Sequence, residues 1–309
     1  MSTLTDALDD YLAMRRALGF RLAADGRYLT DLITFIEERG SDVLTVELAL
    51  AWARRPADAR PVWWARRLGL VRGFARYLHA LDARHEVPPA DLLPVPRGRP
   101  TPHLYSEADI DRLLGAARAL PSPLKAATYT TLIGLLAVSG MRVGEAIGLD
   151  RDDVDRSAGA LTVRGAKFGK SREVVLHPST IAALDAYDRA RRRHCPRPRT
   201  SAFLVSMVGT RLLYSDVQRT FARLVLGAGI TPLPGHHGPR LHDLRHSFAV
   251  RTLLDWYRAG LDVEARMHRL STYLGHSDPI HTYWYLHAAP ELLALAAERQ
   301  ERAMGGEPR

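Results

Sequence analysis

Leu241-His242-Asp243-Leu244-Arg245-His246-Ser247-Phe248-Ala249 is the stretch on which the reading of this chain turns. Leu241, Leu244 and Phe248 recur at helical spacing and form an apolar stripe. His242 and Arg245 stand three apart, so both project from one helical face toward a common point. Working outward, Leu274-Gly275-His276-Ser277-Asp278-Pro279 reads as a helix ending at a glycine, with a histidine directly after it. Tyr285 follows nine residues beyond His276. An arginine, two histidines and a phenol suit one kind of target, a phosphate oxyanion attacked by a tyrosine.

Two upstream stretches extend the set. Ser139-Gly140-Met141-Arg142-Val143-Gly144-Glu145-Ala146 carries an arginine with a carboxylate three residues later. Gly165-Ala166-Lys167-Phe168-Gly169-Lys170-Ser171-Arg172 places two lysines in a turn. In this order the stretches resemble the tyrosine recombinase (phage integrase) family. Its signature runs from an arginine motif through a lysine hairpin to His-x-x-Arg, Leu-Gly-His and a tyrosine. The motifs spread over more than half of a single domain, and together they are far more specific than a lone His-x-x-Arg.

The resemblance implies a mainly α fold with a small β-sheet in the catalytic domain, preceded by a helical core-type DNA-binding domain, the two forming a clamp around duplex DNA. It implies a catalytic set of Arg142, Lys167, His242, Arg245, His276 and Tyr285, with Glu145 in support. Tyr285 would attack phosphorus, form a 3′-phosphotyrosyl link and release a 5′-hydroxyl. A phenol with an ordinary pKa near ~10 needs help to shed its proton. His242 is its expected base or hydrogen-bond partner, and His276 a second donor to the phosphate. Lys167 is the expected acid for the 5′-oxygen. The covalent link stores the energy of the cut, so no ATP, metal or other cofactor is expected. Pro279 and Trp284 depart from the family pattern around the tyrosine, and Tyr273 and Tyr283 are rival phenols.

Charge fits a nucleic-acid partner. The formal net charge is +9 and the sequence pI is about 10.0, which favours polyanions. Nearly all of the positive charge is arginine, a bias that GC-rich coding also produces. Lysine occurs only at 125, 167 and 170, so two of the three lie in one hairpin. That matters chemically, because a lysine can protonate a leaving group and an arginine almost never can. Cys195 is the only cysteine, which excludes an internal disulfide and fits a reducing, cytoplasmic setting. No apolar run approaches the ~20 residues needed to span a bilayer, and the N-terminus shows no signal-peptide core.

Prolines 88, 89, 94, 96 and 100, with Arg97, Gly98 and Arg99, mark a linker. The expected division is 1–86, a helical DNA-binding domain; 87–103, the linker; 104–289, the catalytic domain; and 290–309, a C-terminal helix and tail. Helices are expected over 3–18, 27–39, 46–55 and 61–81 in the first part, with no added arm-binding domain ahead of them. On the fourth, Trp64, Leu68, Val71, Ala75 and Leu78 form the stripe. Arg66 and Arg76 point away from it, and Arg67 and Arg72 flank it. Arg66, Arg72, Arg76 and Lys170 are candidate DNA contacts, although such arginines also suit any solvated helix face.

Beyond the linker, Ser106 caps a helix that continues with Ile110, Leu113 and Leu114. A very apolar helix follows over 124–138, Gly140 breaks it, and Arg142 begins a short helix to Leu149. Strands are expected at Leu161–Val163 and Glu173–Leu176, with helices over 178–192, 214–226, 240–257, 263–274 and 290–303. Residues 202–205 are either an extra strand or a buried extended segment. The tail helix has an apolar patch at Leu292, Leu293, Ala296 and Ala297, which either closes its own domain or docks on a neighbouring subunit in a homo-tetramer on paired DNA sites.

Two other readings compete. His242-Asp243-x-x-His246 is close to a zinc-hydrolase motif, with His236 and His237 nearby, but an arginine within the site opposes a cation. The other is a DNA-binding regulator without activity, against which stands the full set of catalytic side chains. Within the family, integrase, mobile-element recombinase and chromosome-dimer resolvase share one site; mobile-element recombinase is the expectation.

Overall fold

The computed structural model describes residues 3–20, 22–94, 101–164, 171–232, 238–276, 278–288 and 291–292. The chain divides into two compact units, residues 1–99 and 100–309.

The first unit is helical: α1 (Leu4–Ala17), α2 (Ala23–Glu37), α3 (Val46–Arg54) and α4 (Pro61–Leu81). Local chemistry sets the starts. Thr3 and Asp6 form a capping box on α1, Thr45 caps α3, and Pro61 occupies the first turn of α4, where its missing N–H costs nothing. Helix α2 begins four residues earlier than expected. The core gathers Leu8, Leu29, Leu32, Trp52, Leu68, Val71, Phe74 and Leu78, all buried, each contributing about 2 kcal/mol through lost apolar exposure.

One expectation on α4 is corrected. Arg67 does not flank the apolar stripe but is buried within it, while Trp64 is only half-buried. The Arg67 guanidinium lies 3.6 Å from the Trp52 ring centroid and donates to the Trp52 carbonyl at 3.1 Å. An aromatic face and a carbonyl thus replace the water it loses.

The second unit contains α5 (Glu107–Arg118), α6 (Pro123–Ser139), α7 (Val143–Gly148), β1 (Val154–Asp155), β2 (Ala160–Val163), β3 (Arg172–Val175), α8 (Pro178–His194), α9 (Tyr214–Gly227), α10 (Leu241–Arg258), α11 (Val263–Leu274) and α12 (Ile280–Ala288). Helix α6 is apolar on nearly every side, so it sits centrally and packs against α5, α8 and α10. The strands form an antiparallel sheet in chain order, with Leu161 opposite Val174 and Val163 opposite Arg172. Residues 164–171, with both hairpin lysines, join that last pair in sequence.

Several details depart from the sequence reading. β1 is an unexpected third strand, too short to carry a pattern of its own. Arg142 caps α7 rather than beginning it. Residues 202–205 are a buried extended segment with isolated bridges, Asp150 to Ala202 and Val205 to Arg211. Helix α12, for which the sequence reading set no bounds, carries Tyr283 and Tyr285. Of the tail helix expected over 290–303, only Glu291 and Leu292 are described. No described helix is long and apolar enough to cross a membrane.

Candidate active site

The site is built on the C-terminus of α11. The last carbonyls of a helix have no intrahelical partner and carry partial negative charge. Here three consecutive ones each accept an arginine from a different element. The Tyr273 carbonyl takes Arg172 Nε at 2.9 Å, the Leu274 carbonyl takes Arg245 Nη2 at 2.5 Å, and the Gly275 carbonyl takes Arg142 Nη2 at 3.0 Å. Gly275 ends the helix at φ 67°. A Cβ there would lie 3.0 Å from Arg172 Nη1, so the residue must be small for the arginines to close over the turn.

A second glycine serves Arg245. Gly140 stands at φ 59° after α6, and its carbonyl accepts Arg245 Nη1 at 2.8 Å. A Cβ at Gly140 would collide with the Phe248 ring. Arg245 is fully buried, and two of its five N–H donors hold these two carbonyls. Burial, then the Arg142 charge, pushes its pKa down to about 10, so it stays cationic at neutral pH.

Glu145 ties the remaining arginines together. Its Oε1 accepts Arg142 Nη1 and Arg172 Nη1, each at 3.0 Å, and its Oε2 accepts Arg172 Nη2 at 2.7 Å and the Arg142 backbone N–H at 2.9 Å. Burial alone would raise this carboxyl, but the bonds from Arg172 and the Arg142 backbone, with both guanidinium charges, hold it at about 2. A depressed carboxyl stabilises the fold above its unfolded value, and that contribution fades as pH falls through the folded value. Glu145→Gln is therefore expected to melt at a lower temperature than the wild type at pH 7, by an amount worth on the order of 2 kcal/mol. The difference should shrink as pH falls from about 4.5 toward 2. Thermal unfolding of both proteins across that range checks it.

Arg172 ends the lysine stretch, where its sequence position alone implies no role. A signal for it was present: it lies two residues before buried Val174, and alternate strand residues share a face. That face of β3 looks toward Glu145 and the α11 turn.

The phenol comes from α12. Tyr285 is 2% exposed, and its Oη lies 3.2 Å from Nδ1 of His246. His246, read from sequence only as a metal histidine, is thus the residue of α10 that meets the phenol. His242, the expected partner, is exposed and sets its ring against His246 at 4.7 Å between centroids. His276 bonds Thr282 Oγ1 through Nδ1 at 2.7 Å and stacks on Tyr285 at 6.2 Å. Trp284 lies 5.4 Å from His246, so the departure from the family pattern adds an aromatic wall. Tyr283 is exposed, and Tyr273 stacks on Phe248.

Both α10 histidines are neutral at physiological pH. His246 is pushed down to about 3 by burial first, then by His242, Arg240, Arg245 and His276. His242, solvent-accessible as a residue but with its ring set against His246, is lowered by lost hydration of that ring first, then by Arg245, Arg142 and Arg240.

Lys167 and Lys170 lie outside the described residues, as do His236 and His237. In the zinc reading Asp243 would be the base. Its buried carboxylate instead accepts the Arg240 backbone N–H at 2.9 Å, turned to the start of α10. Among the described residues no three His, Cys, Asp or Glu side chains are grouped to hold a metal. In the first unit Arg66 and Arg76 are exposed. Arg72 donates to the Pro88 and Pro89 carbonyls, each at 2.8 Å.

Residues 104–291 match the Phage integrase family. A Sinorhizobium fredii protein named as an integrase/recombinase, y4rB, is 48% identical, over 98% of both chains. Tyrosine recombinase XerD of Caulobacter vibrioides is 30% identical, over 94% of this chain and 93% of its own. Among solved structures, the Tn1549 transposon integrase in complex with circular intermediate DNA shares the fold at a TM-score of 0.67 and 16% identity, covering 97% of this chain and 100% of that one. With its arginines, histidines and phenol joined in one site, the chain belongs to the phage integrase family, the tyrosine recombinases.

Proposed function

We propose that this protein is a site-specific recombinase that cuts and rejoins duplex DNA through a 3′-phosphotyrosyl link on Tyr285. The observation that carries the reading is a phenol in reach of an imidazole, in one unit with two guanidiniums anchored on a single helix end. Phosphoryl transfer asks mainly for positioning and charge stabilisation. Arg142 and Arg245 supply both: each keeps N–H donors beyond those spent on carbonyls and Glu145 for the non-bridging oxygens. His242 and His276 add imidazole donors. The Tyr285 oxygen bonds to phosphorus as the P–O5′ bond breaks, and Lys167 protonates the departing 5′-oxygen. The reverse sequence on a second strand end reseals the DNA, so no metal, nucleotide or other cofactor takes part.

The partners are a double-stranded recombination site and further copies of the chain, four on two paired sites. A mobile-element recombinase is the role in keeping with a relative named integrase/recombinase and with a transposon integrase that shares the fold. Arg66, Arg76 and Lys170 are phosphate contacts; Arg72, holding two proline carbonyls, braces the linker instead. A cytoplasmic setting goes with a DNA substrate.

The test is a covalent adduct between protein and nicked duplex in EDTA, mapped by peptide sequencing to Tyr285. Absence of an adduct, or one on another residue, overturns the reading. Lys167→Ala is expected to slow cleavage by roughly 10²-fold or more. A 5′-phosphorothiolate substrate should restore most of that rate, because sulfur leaves without a proton. Rescue of Lys170→Ala instead would move the acid to that residue.

A further inference from the structure

We infer that His246 takes the phenolic proton of Tyr285 during attack, a role that rests on the recombinase reading and deepens it. The two atoms involved, Tyr285 Oη and His246 Nδ1, are already 3.2 Å apart, within reach for proton transfer. The imidazole is held in place. His242 meets one side at 4.7 Å and Trp284 another at 5.4 Å, while Tyr285 is 2% exposed. With Nδ1 accepting from the phenol, the ring proton sits on Nε2.

Charge in the cleft makes the imidazole responsive to DNA. The groups that face it are Arg240 at the cap of α10, His242 and Arg245 from α10, His276 after α11, and Tyr285 from α12. Burial and the cationic members of this set keep the ring unprotonated, and they also hold it a weak base in the free protein. A phosphodiester drawn to Arg142 and Arg245 brings negative charge into the same cleft and offsets those cations, which strengthens the base when substrate is present. In the step the Oη–H bond breaks and the proton goes to Nδ1. The Oη–P bond forms, the P–O5′ bond breaks, and the 5′-oxygen takes its proton from Lys167. On resealing, the His246 imidazolium returns the proton to the departing phenol.

The experiment measures single-turnover adduct formation in EDTA. The probe is a nicked duplex selected from a randomised pool by retention on the Tyr285→Phe protein. His246→Ala removes the base. His246→Asn keeps an oxygen that accepts the phenol's hydrogen bond but cannot take its proton. Both variants should retain the duplex and form adduct roughly 10²-fold more slowly or worse. Their rates should climb with pH toward the ionisation of a free phenol at ~10, and added imidazole should partly restore His246→Ala. A wild-type rate in His246→Asn would show that the hydrogen bond alone suffices and would overturn the proton transfer. So would wild-type rates and pH profiles in both variants. If the wild type itself forms no adduct at Tyr285, the recombinase reading fails first, and this role falls with it.

Discussion

Tyr285→Phe is expected to retain DNA and form no covalent adduct at all. The substitution deletes one oxygen from a ring that is 2% exposed and leaves its packing against His276 and Trp284 in place. The fold loses the contact with His246, a cost of about 1 kcal/mol, so the variant stays folded at ordinary temperatures. Chemistry is lost completely, because phenylalanine has no nucleophile. The nearest other phenol along the chain, Tyr283, is 42% exposed on the same helix. Two residues turn an α-helix through roughly 200°, so its phenol projects away from the arginines. Labelled nicked duplex run on a denaturing gel in EDTA reads the result. An adduct persisting in the variant and mapping to Tyr283 would reassign the nucleophile and place α12 in a different register.

The stretches that build the candidate site were legible because each combines a rare residue spacing with a helix or turn signal. Ser106 before an apolar run, Gly140 after one, and Gly275 before His276 announced their element ends directly. What escaped was set by partners distant in sequence. Arg67 looks like any helix-surface arginine until Trp52 supplies its aromatic face. Arg172 looks like a turn residue until Glu145 and the Tyr273 carbonyl claim it. His246 lies one position past the signature arginine and meets its phenol only because α12 packs on α10. Helix α12 itself is aromatic on several sides, with Tyr283, Trp284 and Tyr285 in succession, and so lacks the clean apolar stripe that marks a helix from sequence.

Arg245→Ala is expected to lose both activity and stability, and the two losses come from different parts of one side chain. The guanidinium is 1% exposed and joins the end of α6 to the end of α11 through the Gly140 and Leu274 carbonyls. Its removal strands two carbonyls in the interior at about 1–3 kcal/mol each, so the melting temperature should fall clearly. Arg245→Lys keeps the charge, but one ammonium cannot reproduce a planar fork that spans two carbonyls; it should recover part of the stability and little of the rate. Loss of the donor proposed for the transferring phosphoryl group is expected to slow adduct formation roughly 10²- to 10³-fold. Charge gives a further readout. Burial and the neighbouring Arg142 both disfavour the Arg245 cation, so an oxyanion placed between them relieves repulsion already present in the fold. Nicked duplex should therefore raise the wild-type melting temperature by mass action, and raise that of Arg245→Ala much less. Equal shifts in the two proteins would mean that the DNA is held elsewhere and that Arg245 acts on the fold alone.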